Sequence, residues 1–523
     1  MKNNIFLIVV LVINSIVFAQ VPGSLNPNFS QDGWDSVFGN NNGFYINKTI
    51  IQPDDKILIC AEANFSNEGH QAVVVRYNPD GTVDTNFGDG DGMVRSKDDT
   101  TINMYTRAYG MALQSNGKII IAGDQLYNSE RIFRLNSEGT LDTSFGTDGV
   151  INMNRPNSEF IYHVAVQSDN KIIVCGKESR FVNSVMEPHV FLWRFTSEGI
   201  LDKTFGNSGM ISYNSTAWLG TFETYLVIND LIILPNDKII VNQSFTKFPN
   251  SAVMLKKFNA NGTSDNSFGT IGEAIKSELS NDGNYKYSSS SVQENGAIIS
   301  TFTTRDNITS SYSESVFRFD SQGIIDISLD VSINASSNFP TYSKIVASGN
   351  KFYFLRKVNS EMASFDELRC YDMSGNLVAD FGTFGTSIIN QNAIPNSYDG
   401  KIAIANNGNI YIASSIADSE NLDNSLLLTT NVIGLNPNLS TENAGFKLDR
   451  FSIYPNPSTG IVNIASDENA TIDSIKIVDV LGKTVLIKKD KTSQIDISEL
   501  AKGMYMMHII FGENQIQRKI IKE

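Results

Sequence analysis

Apolar residues along this chain come in short runs separated by polar turns, and no helical period competes with them. One recurring form is a polar turn, a lysine and an apolar run, as in Pro53-Asp54-Asp55-Lys56-Ile57-Leu58-Ile59 and Ser115-Asn116-Gly117-Lys118-Ile119-Ile120-Ile121. It returns around Lys171, Lys238, Ile298, Lys351 and Ile410. Runs rich in Ile, Val and Phe, bounded by Asn-Gly, Asp-Asn and Glu-Gly turns, predict strands and hairpins. The spacing leaves room for two more short strands, for example residues 149–152 and 162–167, so each unit is expected to hold four.

A second form, an N-x-x-G turn headed by Arg, or by Lys at 257, and running into L-D-x-x-F-G-x-x-G, alternates with the first and is legible at residues 76–88, 134–146, 194–206 and 257–269. Its Phe falls at Phe29, Phe87, Phe145, Phe205, Phe268 and Phe381, with Leu329 standing in once. Repetition at about sixty residues sets the architecture before any other signal. Seven copies of a four-stranded antiparallel unit predict an all-β chain. Its body is expected to be a seven-bladed β-propeller of four-stranded repeats, which hides sheet edges by radial repetition. An open solenoid of stacked sheets is the alternative. Leu435-Asn436-Pro437-Asn438-Leu439 echoes Leu25-Asn26-Pro27-Asn28-Phe29 at the start, which favours closure.

These residues resemble the delta-60 repeat of bacterial surface proteins, whose hallmark is the L-D-x-x-F-G-x-x-G core. The resemblance spans roughly residues 22–436 and is clear in the units ending at Gly88, Gly146, Gly206 and Gly269. The fifth and sixth copies depart from it, with Leu329 for Phe and Val378 for Asp, and the seventh is eroded. It implies a propeller-like array and no general enzymatic activity.

Comparing the copies with one another assigns roles. Arg76, Arg134, Arg194, Lys257 and Arg318 each precede by eight residues an aspartate, namely Asp84, Asp142, Asp202, Asp265 and Asp326. In the sixth unit the two positions are Cys370 and Val378, so both charges vanish together. That pattern predicts an ion pair across the turn of each blade, because removing one partner of a buried pair strands the other. A ring of arginines binding an anion is the competing reading. The motif Phe is expected as a buried knob between blades rather than a stacking ladder for a ligand, and the glycines around it as turn residues with positive φ.

The chain ends speak to destination. Lys2, an apolar run over residues 5–18 and Ala19-Gln20 fit a secretory signal peptide, residues 1–19, cut after Ala19. The run is short for a membrane span of about 20 residues, and no later segment offers one, so no transmembrane segment is expected in the mature chain. The propeller is assigned to residues 20–437 and a polar linker to 438–446. Residues 447–523 carry alternating short strands with turns every eight to twelve positions, which predicts a small C-terminal β-sandwich. Tyr454-Pro455-Asn456-Pro457, then Gly482-Lys483, then Gly503-Met504-Tyr505 come in order. This segment is similar to the type A C-terminal sorting domain of the type IX secretion system. The similarity implies the secretion machinery as partner, passage through the periplasm and across the outer membrane, and release or anchoring at the cell surface after the domain is removed.

Charge agrees with that destination. Forty-one Lys and Arg against 56 Asp and Glu give a net charge of −15, which argues against nucleic acid as a partner. Cys60, Cys175 and Cys370 are too sparse for a disulfide framework, and are expected as buried free thiols. His70, His163, His189 and His508 show no zinc-ligand spacing, no G-x-S-x-G elbow is present, and no cofactor or catalytic residue is assigned. Asp89 and Asp91 in Gly88-Asp89-Gly90-Asp91-Gly92 form a weak calcium candidate, lacking the full loop pattern and its terminal Glu. A solvated Gly-Asp turn is the simpler reading.

The candidate binding face is the insertion in the fourth unit, which carries Tyr213, Trp218, Phe222 and Tyr225 among small polar residues. Exposed aromatics on a loop suit sugar rings or a protein partner; covering an apolar blade edge is the simpler role. Two functions stay in view. One is a secreted or surface-displayed binding or adhesion propeller for a glycan, a polymer or a surface protein. The other is a propeller-type glycoside hydrolase or lyase, which would need a pair of inward carboxylates about 5–10 Å apart.

Overall fold

The computed structural model describes residues 22–432 and 451–523, apart from the short segments 31–33, 38–40, 66–68, 97–105, 126–128, 154–158, 183–184, 215–224, 248–249, 280–286, 294, 306–311, 334–342, 360–363, 390–396, 418–424, 467–471, 479–483, 490–492 and 512–513. The chain divides into two compact units, Met1–Leu435 and Asn436–Glu523.

Strand alternation explains why the second strand of a blade can open on adjacent apolar residues that are all buried. In the second blade Ile119, Ile120, Ile121 and Ala122 are all wholly buried. Successive side chains of a strand point to opposite faces. Ile119 and Ile121 therefore pack with Leu58, Val74 and Phe87 of the first blade, while Ile120 and Ala122 pack with Ile172, Val174 and Phe191 of the third. Each blade is greasy on both faces and cannot stand alone. Fully burying one such Ile contributes about 1.5–3 kcal/mol.

Six blades are each built from four consecutive antiparallel strands, within residues 41–95, 106–152, 159–214, 225–279, 287–333 and 343–389. The expectation of seven equivalent four-stranded blades is corrected here, because the last sheet is not a further copy. Only Ser397–Ile404, Ile410–Ala417 and Ser425–Val432 remain for it, and its fourth strand is Trp34–Val37 from the other end of the chain. The N-terminal residues also supply its turn: Leu25 bridges Val432, as Leu141 bridges Leu135 within the second blade. The copy at Phe29 is thus the missing end of the last sheet. The physical reason is the sheet edge. A strand pair left open at Ser425–Val432 would expose unpaired backbone groups, and the N-terminal segment covers them. The first strands of successive sheets touch in series, and Ser397–Ile404 touches Asn41–Ile51, so the ring is closed rather than an open solenoid. The echo at Leu435–Leu439 lies outside the described residues.

The fifth unit departs in a second way. Where the other copies turn at L-D-x-x-F-G, Ile325–Ile333 runs on as one strand paired with Tyr312–Phe319. Asp330 stands where a glycine would permit positive φ, so the backbone stays extended.

The second unit holds two sheets. One orders Phe451–Tyr454, Ile461–Ser466 and Gln494–Asp496; the other orders Thr484–Lys488, Ser474–Val478, Gly503–Phe511 and Asn514–Lys522. They share one core that includes Val462, Ile464, Ile475, Ile495, Met507 and Ile520.

Candidate functional site

The repeat motif turns out to be a joint between blades. Arg76, Arg134 and Arg194 place Nε at 2.7, 2.7 and 2.9 Å from Asp84, Asp142 and Asp202, and Lys257 and Arg318 reach Asp265 and Asp326 at 3.8 and 2.7 Å. Lys56, Lys118, Lys171 and Lys238, each one residue before the second strand of its blade, add a second cation to four of these carboxylates, at 2.9, 2.6, 3.7 and 2.9 Å. The same arginines then leave their own blade. Arg76 donates to the Ser137 carbonyl, Arg134 to Ser197 and Arg194 to Ala260, each in the next blade. The motif glycine does likewise: Gly88, Gly146, Gly206 and Gly269 donate to Glu138, Glu198, Asn261 and Gln322 at 2.8, 2.9, 2.9 and 2.6 Å. The arginines and Lys257 lie 4.4–4.9 Å over Phe87, Phe145, Phe205 and Phe268, all four rings wholly buried. In the sixth blade Cys370 and Val378 join an apolar cluster instead. The ion pairs and the Phe are therefore internal joinery.

A candidate site is the cavity on the ring axis, of about 340 Å³ and walled by the first strand of every sheet of the ring. Five of those strands carry a register irregularity, and in four of them a single extra residue, Asn47, Tyr109, Tyr162 or Asn229, lines the cavity. A bulge re-aims one side chain without ending the strand. The fifth and sixth blades contribute Ser289, Ser290 and Lys344, and the closing sheet Lys401. The wall is stitched from sheet to sheet. Asn47 Nδ2 donates to the Ala108 carbonyl at 2.6 Å, and His163 Nε2 lies 3.2 Å from the Ile228 carbonyl. Asn229 and Asp230 accept the Ser288 and Ser290 amides at 3.2 and 2.9 Å, and Ser291 accepts the Ala347 amide at 2.9 Å. These bonds hold the polar wall in place before any ligand arrives.

Electrostatics in the cavity are uneven. Burial pushes the His163 imidazole down to about 4, Lys48 and Lys344 push the same way, and Asp230 and the Ile228 carbonyl oppose them. His163 is therefore neutral at neutral pH. Burial raises the Tyr109 phenol to about 12. Among the described lining residues Lys48, Lys344 and Lys401 stand against one carboxylate, Asp230. The carboxylate pair that glycoside hydrolysis needs is not assembled from them.

The residues singled out from the sequence fall elsewhere. Tyr213 ends the third blade, its ring centroid 5.5 Å from that of Phe258 and packed into the layer between the third and fourth blades. Tyr225 opens the first strand of the fourth blade, Tyr225–Ile233. Trp218 and Phe222 lie outside the described residues, as do Ala19, Gln20, Gly482 and Lys483. Asp89 and Asp91 are exposed, Asp91 accepting the Met93 amide at 2.9 Å, and no group of three metal-binding side chains occurs among the described residues. Cys60, Cys175 and Cys370 are free and buried. In the C-terminal unit Tyr454 is exposed, Asn456 Oδ1 accepts the Ile521 amide at 2.9 Å, and Tyr505 donates to the Ala501 carbonyl at 2.8 Å. Pro455 and Pro457 follow cis peptide bonds, and Gly503 opens the strand Gly503–Phe511. Asn456 thus ties its turn to the last strand of its own unit.

The axial residues were missed, although a signal existed. Asn47, Tyr109, Tyr162 and Asn229 each stand ten positions before the first apolar residue of the next strand, Ile57, Ile119, Ile172 and Ile239. A polar or aromatic side chain at constant phase inside a strand marks the bulge.

Comparison with known proteins fits this picture. Residues 452–523 match the secretion system C-terminal sorting domain, and residues 52–87 and 114–145 match the domain of unknown function (DUF5122) beta-propeller. The chain is a β-propeller protein with a type IX sorting tail, exported by that system to the cell surface or the medium, and its tail engages the secretion machinery. No helix among the described residues is long and apolar enough to cross a membrane. No curated protein matches the chain. Among solved structures it is similar to PorZ, an essential bacterial surface component of the type IX secretion system of Porphyromonas gingivalis. Identity is 14%, coverage is 91% of this chain and 59% of that one, and the TM-score is 0.39. It is also similar to the β-propeller domain of the Trilobed protease from Pyrococcus furiosus, at 10% identity, 78% and 100% coverage and a TM-score of 0.35. A third is the Hadza microbial sialidase Hz136, at 12% identity, 72% and 73% coverage and a TM-score of 0.38.

Proposed function

We propose that this protein is a secreted or surface-displayed binding or adhesion propeller of the delta-60 repeat type, recognising a glycan in its axial cavity. The observation that carries the reading is the cavity wall. Bulges on four of its strands aim Asn47, Tyr109, Tyr162 and Asn229 inward, and cross-sheet hydrogen bonds hold it rigid. Such a pocket, pre-formed and mixing aromatic with polar groups, is what small-ligand sites look like. With Asp230 the single carboxylate among the described lining residues, binding is favoured over hydrolysis. A leader cut after Ala19 completes the export route, so the secreted chain starts at Gln20, which N-terminal sequencing checks.

The test is a glycan-array screen of the full secreted chain beside Tyr162→Ala and Trp218→Ala variants. Signal lost with Tyr162→Ala and kept with Trp218→Ala is the expected result. Loss with Trp218→Ala alone moves the site to the insertion in the fourth unit, and an array with no signal overturns the reading.

A further inference from the structure

We propose that the ligand of the axial cavity is a sugar acid, its carboxylate held by the ammonium groups of Lys48, Lys344 and Lys401. The inference rests on reading the cavity as the glycan site and adds the charge of its ligand. Three sheets each send one lysine to the same cavity, on a chain whose net charge is −15. A concave site with low-dielectric walls focuses the field of such charges and raises the local concentration of an anion.

The remaining groups suit the rest of a sugar. His163 Nε2 faces the Ile228 carbonyl at 3.2 Å and so carries the proton, which leaves Nδ1 of the neutral ring as an acceptor for a hydroxyl. Asp230 is a second acceptor on the same wall, and Tyr162 brings an aromatic ring to it. At about 340 Å³ the cavity is near the lower end of the roughly 300–1,000 Å³ that ligand sites span. That fits one or two sugar units, or the end of a longer chain, rather than a threaded polymer.

Isothermal titration of the full secreted chain with D-glucuronate, D-glucose and inorganic sulfate tests this. Glucuronate should bind at least about tenfold more tightly than glucose, and Lys48→Gln should cost about tenfold, the worth of one charge-assisted hydrogen bond. Lys344→Gln, on a different sheet, gives the same readout should the first variant fail to fold. Equal affinity for glucose and glucuronate, both lost in Tyr162→Ala, would leave the cavity a glycan site and overturn the sugar-acid inference. Sulfate binding as tightly as glucuronate would overturn it as well, reducing the site to one for simple anions. If none of the three binds, the sugar-acid inference falls, and the array screen decides separately whether the cavity binds glycans at all.

Discussion

Phe145 is wholly buried, with Arg134 4.6 Å above its ring and Gly199 of the next blade against its edge. A Cβ on Gly199 would lie 2.8 Å from that edge and 3.0 Å from the Gly146 amide nitrogen, and its φ is +86°, so glycine is required there on two counts. Truncating the ring leaves a hole that the flanking backbone cannot fill, since it is pinned by the Gly146 to Glu198 hydrogen bond. Phe145→Ala should therefore destabilise by about 3–5 kcal/mol, read from the midpoint of denaturant unfolding. A loss below about 1 kcal/mol would show that the knob is not a joint.

At the level of the element, each turn that carries the ion pair is an acid-sensitive clasp. Burial by itself would raise the carboxyls of Asp142 and Asp265. Hydrogen bonds from Lys118 and Ser144, with the charge of Arg134, instead hold Asp142 well below the usual range, and Lys238 and Ser267 bring Asp265 to about 2. A carboxyl depressed on folding stabilises the protein fully above its unfolded value of about 4 and loses that contribution as pH falls towards its folded value. Stability should be level in this respect above about pH 5 and decline between about pH 4 and 2. Asp142→Asn should flatten part of that decline and cost about 3 kcal/mol at neutral pH, because it strands the buried Arg134 guanidinium. Acid titration of the unfolding free energy for both proteins measures each quantity, and an unchanged acid limb would refute the clasp.

Over the whole molecule the joints form a series with one break. Gly382 of the sixth blade donates to the Pro22 carbonyl at 2.7 Å and Ser30 donates to Asp80 of the first at 2.8 Å, so the N-terminal segment links the last complete blade to the first. Between the fifth and sixth blades the glycine joint is missing, since Asp330 replaces the glycine and the turn has become strand. Arg318 still reaches the Met373 carbonyl there at 3.0 Å. Removing residues 22–37 should leave Ser425–Val432 as an open edge. Its amides should then exchange hydrogen much faster than in the full chain while those of Ile119–Gln125 stay protected. Equal protection in both strands would mean that the ring does not depend on its N-terminal clasp.

The sequence by itself determined the strands, the repeat, the paired Arg and Asp positions and the sorting tail. Each of these rests on contacts between residues close in the chain, or on a pattern that recurs at fixed phase. Cys370 and Val378 show how far this reaches, since losing both charges at once was enough to mark the pair. Only the tertiary structure decided how the ring closes and where its cavity lies. Trp34 meets Thr430, and Lys48, Lys344 and Lys401 share one space, across hundreds of residues. No local rule links such distant positions. They meet because the six blades and the closing sheet must cover one another's apolar faces, and the first strands brought together on the axis then define what a ligand would touch.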